Sequence, residues 1–150
     1  MTEKLVRCLA AQTRSRLATA QADALVLDVA KLLGTTNRSL VVICDPSQRM
    51  VGIVTKTNIV EQIGSCEAHA CRKTAADIMV REVAFCRETD LLSDVLSKMG
   101  QLGFVHLPVI DDEFRPIGIV NARDALRSVL ADEVYEESLL RDYVMGVGYR

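Results

Sequence analysis

No stretch of the sequence approaches the ~20 consecutive apolar residues that a membrane-spanning helix needs. Its opening, MTEKLVRCLAAQTRSR, also lacks the apolar core of a secretory signal. An excess of charge of one sign is missing too: 18 Lys and Arg against 20 Asp and Glu leave a net charge of −2. That balance provides no electrostatic footprint for nucleic acid or acidic lipid. Motifs for catalysis are absent. There is no His-Glu-x-x-His, no glycine-rich phosphate loop ending in Lys, and no Gly-x-Ser-x-Gly elbow. Histidine is scarce: His69 and His106 stand far apart, and nothing supports either as half of a Cys–His nucleophile pair. Gly146-Val147-Gly148 is too short to signal a dinucleotide fold. These absences predict a cytoplasmic protein that is not an enzyme, requires no cofactor, and engages neither nucleic acid nor membrane.

What is present suits a packed core. Hydrophobic residues make up 49% of 150 positions, enough for one compact domain or two intimate half-domains. Charged residues, at 25%, sit near the ordinary share and argue against disorder. The five cysteines (Cys8, Cys44, Cys66, Cys71 and Cys86) are odd in number, and a reducing compartment keeps them as thiols.

An internal repeat organises the chain. Gly52-Ile53-Val54 recurs as Gly118-Ile119-Val120, an offset of 118 − 52 = 66. Residues 17–64 slide onto 83–130 without a gap and give 10 identities in 48 positions. Ordinary residue frequencies would give roughly 3. Each copy begins with a short extended segment, Leu17–Thr19 or Val83–Cys86. A helical face follows, carried by Leu25, Val29, Leu32 and Leu33 in one copy and by Leu91, Leu92, Val95, Leu96 and Met99 in the other. Asp23 and Thr89 stand where N-caps would serve these helices. The β-branched runs Ser39–Cys44 and Val105–Ile110 predict buried strands. Five-residue polar turns, Asp45–Arg49 and Asp111–Arg115, then lead into Met50–Val54 and Pro116–Val120 as hairpins. A second helix closes each copy, marked by Ile59, Val60 and Ile63, then by Ala125, Leu126, Val129 and Leu130. One such unit is too small to bury its own apolar faces, so the two copies should pack sheet to sheet.

Further features accompany this order of elements. Leu107-Pro108-Val109-Ile110-Asp111 precedes the second turn, and Gly-Ile-Val follows both turns. Thr55-Lys56-Thr57-Asn58 and Asn121-Ala122-Arg123-Asp124 open the second helices, and Thr74–Met79 leads into the second copy. Over residues 14–130 the pattern resembles the CBS (cystathionine-β-synthase) domain. The resemblance implies a stand-alone, bacterial-type CBS pair, or Bateman module. Its class is α/β (α+β), with two β-α-β-β-α repeats related by pseudo-two-fold symmetry. Repeat 1 spans 14–64, a connector 65–78, repeat 2 79–130, and a C-terminal helix or tail 131–150.

The resemblance also implies function: a regulatory sensor of adenosine compounds (AMP, ADP, ATP or S-adenosylmethionine), acting through homodimer geometry or an effector protein that the sequence does not name. In the family a terminal Asp holds both ribose hydroxyls, as an acceptor carboxylate can. The Ser or Thr three residues earlier sits at a helix start that favours phosphate. Carried over, one pocket combines Asp124, Asn121 and Arg123 with Thr19, Ser39, Leu40 and His106. The other joins Thr55 and Asn58 to backbone around Ala84 and Phe85. The family pattern is broken in each copy, by Asn58 in place of Asp and by Asn121 in place of Ser or Thr. The Asp124 pocket is expected to be the stronger site, because a neutral amide has a single acceptor oxygen.

Plainer roles compete with each of these. Thr55 with Asn58, and Asn121 with Asp124, are also spaced as an N-cap and its N3 partner, an arrangement worth ~0.5–2 kcal/mol without any ligand. His106 serves equally as a half-buried strand residue, and Arg123 as an exposed helix-start arginine. Cys66, His69 and Cys71 are weak metal candidates, since structural zinc takes four ligands and no second pair is evident. The departures at Asn58 and Asn121 leave a ligand-free assembly scaffold as the alternative, and a thiol or metal sensor as a remoter one. The acidic run 132–137 is expected to be a solvated helix face. The apolar residues Leu139, Leu140, Tyr143 and Val144 would need cover in a dimer.

Overall fold

A computed structural model describes residues 4–65 and 72–131. Cys66, His69, Cys71 and the tail from residue 132 lie outside the described residues. A 3-10 turn (Val6–Leu9) runs into α1 (Ala10–Ser15). The first repeat follows as β1 (Thr19–Gln21), α2 (Val26–Thr36), β2 (Leu40–Cys44), β3 (Met50–Thr55) and α3 (Lys56–Ser65). After α4 (Ala75–Ile78) come β4 (Cys86–Arg87), α5 (Leu92–Leu102), β5 (His106–Ile110) and β6 (Pro116–Asn121). A last helix, α6, covers 122–131.

The two halves repeat one another in detail. Each has a three-stranded sheet whose first strand is parallel to the middle one and whose third is antiparallel to it. The register shifts at equivalent places, between Ile43 and Cys44 and between Val109 and Ile110. The helices α2 and α5 end on left-handed residues at equivalent positions, Asn37 (φ 54°) and Gly103 (φ 73°), the conformation that satisfies a terminal carbonyl. The middle strand β2 is buried along its whole length, as its unbroken apolar run requires of a strand covered on both faces. The sheets face each other across Leu40, Val42, Cys44 and Met50 on one side and Ile110 and Ile119 on the other.

Four local expectations shift. The edge strands begin later than expected, at Thr19 and Cys86, which pair with Val42 and Val109. Leu17 and Val83 instead pack into the core between the sheets. Asp23 and Thr89 are not N-caps. The helices start after Leu25 and Leu91, with no side-chain cap. Their first N–H groups find backbone partners far along the chain: Val26 N donates to Lys73 O (2.9 Å) and Leu92 N to Lys4 O (2.8 Å). A tertiary carbonyl thus satisfies the orphan donor that a cap would serve.

Those two bonds reveal an exchange. The segment before each repeat packs on the other one. Val6 and Leu9 belong to the core of the second repeat, and Ala75 and Met79 to that of the first. A Cβ built on Gly52 would lie 2.8 Å from Val80 O, and one on Gly118 would lie 2.8 Å from Thr13 Cβ. The repeated glycine of the Gly-Ile-Val motif therefore admits the exchanged segment against the sheet. The lead-in α4 carries a reciprocal capping box between Thr74 and Asp77. Its bonds from Thr74 N and Oγ1 hold the Asp77 carboxyl below its ordinary range.

Candidate ligand-binding clefts

Two unequal clefts lie between the repeats. The larger, about 580 Å³, falls within the range of small-molecule pockets. Its floor is apolar, from Ile53, Val83, Phe104, Leu107 and Pro108. Its polar groups come from both halves: Ser39, Thr55 and Asn58 from the first, Glu82 and His106 from the second. The start of α3 opens onto this cleft through Thr55, Lys56 and Thr57. The smaller cleft holds about 40 Å³, close to the volume of one water molecule. It is lined by Arg16, Asn37, Arg38, Ser39, Leu40, His106 and Ile119.

In the large cleft the capping role is realised in full. Asn58 Oδ1 accepts from Thr55 N (2.9 Å) and Thr55 Oγ1 (3.0 Å), while Asn58 N donates to Thr55 Oγ1 (3.2 Å). The single acceptor oxygen of Asn58 is thus turned to the helix start. Ala84 lines the cleft as expected, but Phe85 does not. Phe85 packs in the core between the sheets, edge-on to Phe114 at 5.1 Å, and its carbonyl accepts from Lys98 Nζ (2.8 Å).

The other helix start is built differently. Asn121 Oδ1 accepts from Arg123 N (2.9 Å) and Asp124 N (3.2 Å). Asp124 does not return the bond. Its carboxylate takes a two-point contact from Arg16, Nε to Oδ2 at 2.6 Å and Nη2 to Oδ1 at 3.2 Å. Arg38 donates to the Ser15 carbonyl beside it, which ties down the end of α1. Asn121 Nδ2 lies 3.1 Å from His106 Nε2. Burial first, and then the Arg16 charge, push the His106 pKa down against the opposing pull of Asp124. The ring is accordingly neutral at pH 7 and suited to accept from Asn121. His106 borders both clefts. Thr19 is exposed at the start of β1 and lines neither cleft, and Arg123 is exposed at the start of α6.

The cleft beside Asn58, expected to be the weaker site, is the larger of the two in volume. Arg16, which holds Asp124, lines the narrow cleft, and Asn58 lines the open one. Sequence reasoning passed over Arg16, Arg38, Glu82 and Phe104. The 66-residue offset carried a signal, for it matches Arg16 with Glu82, Arg38 with Phe104 and Asp124 with Asn58. Arg16 and Arg38 line the small cleft, whereas their counterparts Glu82 and Phe104 line the large one.

Of the described cysteines, Cys8 is exposed and Cys44 and Cys86 are buried. Burial raises the pKa of Cys44, and that of Cys86 is pushed up to about 12 by burial and then by Asp90. No group of three or more potential metal ligands occurs among the described residues. No described helix is long and apolar enough to cross a membrane.

The family model described as "CBS domain" matches residues 6–65 and 75–131. A curated relative, L-aspartate semialdehyde sulfurtransferase of Methanocaldococcus jannaschii, is 30% identical over 109 residues, 73% of this chain but only 20% of the relative's length. An uncharacterised 17.7 kDa protein of Acidianus ambivalens is 28% identical over 123 residues, covering 82% of this chain and 73% of that one. Among solved structures, a CBS domain pair in complex with 5′-methylthioadenosine and S-adenosyl-L-methionine superposes with a TM-score of 0.74 at 27% identity, over 87% of this chain and 99% of that one. A CBS-domain protein of Agrobacterium tumefaciens gives 0.71 at 21% identity, over 85% of this chain and 93% of that one, and shares the fold.

Proposed function

The chain belongs to the CBS domain family, and on that premise we propose that it is a non-enzymatic regulatory module that senses an adenosine compound. The observation that carries this is the open cleft of about 580 Å³, where apolar side chains meet Thr55, Asn58 and the start of α3. The neighbour bound to 5′-methylthioadenosine and S-adenosyl-L-methionine points to that ligand class, and AMP, ADP and ATP are phosphorylated members of it. The cleft offers one cation, Lys56, and one anion, Glu82, a balance that suits ligands of low net charge. No cofactor is needed for such a role, and the cytoplasm is where such ligands occur.

A thermal-shift and calorimetry panel of these five compounds tests the proposal, with Asn58→Asp as its internal check. An aspartate at this position keeps one oxygen for Thr55 and frees a second for a ribose hydroxyl. Charge-assisted bonds contribute about 1.5–3 kcal/mol against about 0.5–1.5 for neutral ones. Affinity in the open cleft should rise about tenfold. No shift with any compound, in either protein, would discard the sensor.

The alternative is an assembly scaffold without ligand. It is favoured by one observation: Asn58 and Asp124 both already have protein partners. Either function suits a homodimer, through which a signal would pass to an effector. Val60 and Ile63 on α3 are 67% and 64% exposed, and Leu126 and Leu130 on α6 are 49% and 47% exposed. Apolar helix flanks of this kind call for cover. Light scattering should report a dimer that Val60→Asp with Leu126→Asp converts to monomer. A wild-type species of only 16.5 kDa at micromolar concentration would refute it.

A further inference from the structure

The two clefts differ at equivalent positions in a correlated way. Asp124 is held by Arg16, which lines the closed one, and their counterparts Asn58 and Glu82 line the open one and cannot form an ion pair. Arg16 is not a loose surface arginine. It is the C-cap of α1, with its backbone N–H on Gln12 O (3.2 Å), and α1 is seated on the second sheet through Thr13 against Gly118. The guanidinium takes both oxygens of a carboxylate that is 13% exposed.

We propose that Arg16 is an internal latch on the Asp124 cleft: it occupies the carboxylate that a ribose diol would need, so this cleft admits ligand only when the ion pair opens. The latch rests on the adenosine proposal above. Binding there competes with an intramolecular partner, and the apparent affinity is the intrinsic one reduced by the fraction of molecules with the pair open. The Arg16 side chain is 35% exposed, so solvent screens part of the attraction. The penalty is about one decade rather than several. Ligand therefore fills the open cleft first and the latched cleft second.

Calorimetry with 5′-methylthioadenosine tests this, because an uncharged probe loses no phosphate attraction when an arginine is removed. Wild type should give one main binding event and a weaker second one. Arg16→Ala should tighten the second about tenfold, and Arg16→Gln serves if the alanine variant misfolds by circular dichroism. Adding Asp124→Ala to Arg16→Ala should remove the gained event. Arg14→Ala, which alters only an exposed contact to Glu88 at 3.8 Å, should change nothing. In the open cleft, Asn58→Asp with Glu82→Arg should bind more weakly than Asn58→Asp alone, because it installs the latch there. A folded Arg16 variant whose second event is unchanged or weaker overturns the latch while leaving the adenosine proposal intact. Absence of binding in wild type and every variant overturns both.

Discussion

Asp124→Ala and Arg16→Ala should move nucleoside binding in opposite directions, although each breaks the same ion pair. Removing Asp124 deletes the acceptor of the ribose diol. The second binding event should weaken by up to about tenfold, since a charge-assisted bond of about 1.5–3 kcal/mol spans one to two decades and the lost latch penalty returns about one of them. Removing Arg16 deletes only the competitor. On stability Asp124→Ala should lose about 1–2 kcal/mol and Arg16→Ala more, because it leaves a carboxylate only 13% exposed without its cation. The cost of Asp124→Ala stays modest because a freed Arg16 guanidinium, already 35% exposed, can turn to water. The start of α6 keeps its cap, because Asn121 Oδ1 still receives the N–H groups of residues 123 and 124. Urea unfolding and calorimetry on the same preparations separate the two readouts. If both variants lose binding together, the pair is a structural strut and Asp124 is no ribose acceptor.

Gly52→Ala should cost about 1–3 kcal/mol, the usual penalty for forcing a methyl into a filled site, or roughly 3–10 °C in Tm for a chain of this size. The new Cβ would meet Met79 Sδ at 2.6 Å, which can yield, and Val80 O at 2.8 Å, which cannot yield freely. Val80 O accepts from Ile53 N (3.0 Å), and Val80 N returns a bond to Ile53 O (2.8 Å). Gly118→Ala should behave alike, against Thr13. The opposite sign is expected for Gly34→Ala and Gly100→Ala, helix positions with no atom within 4 Å of the added carbon, where alanine gains up to about 1 kcal/mol of helix propensity. Thermal unfolding of the four variants decides the matter. Equal effects at Gly52 and Gly34 would mean that the exchanged segment does not press on β3.

Helix starts show how far local reasoning reaches. Thr55 and Asn58 were legible as a cap because both partners lie within four residues of each other, and the structure has that box. Asp23 and Thr89 were misleading for the complementary reason. They precede the helices, but the donors at Val26 and Leu92 are taken by Lys73 and Lys4 carbonyls that no local window contains. Edge strands were placed two or three residues early because β-propensity does not say where ladder pairing begins.

The amino-acid sequence by itself determined the duplication, the apolar faces of α2 and α5, the buried middle strands and the hairpin turns. Each of these depends on residues close in sequence, or on the 66-residue period itself. Tertiary structure alone decided which lead-in packs on which repeat. An apolar segment before a repeat has the same pattern whether it docks on its own sheet or on the other. It also decided the inequality of the clefts. Arg16 and Asp124 are 108 residues apart, and the repeat shows that their counterparts differ but not that the two side chains meet. Asp124 alone suggested an open acceptor, and only the packing of α1 on β6 brings a guanidinium to it.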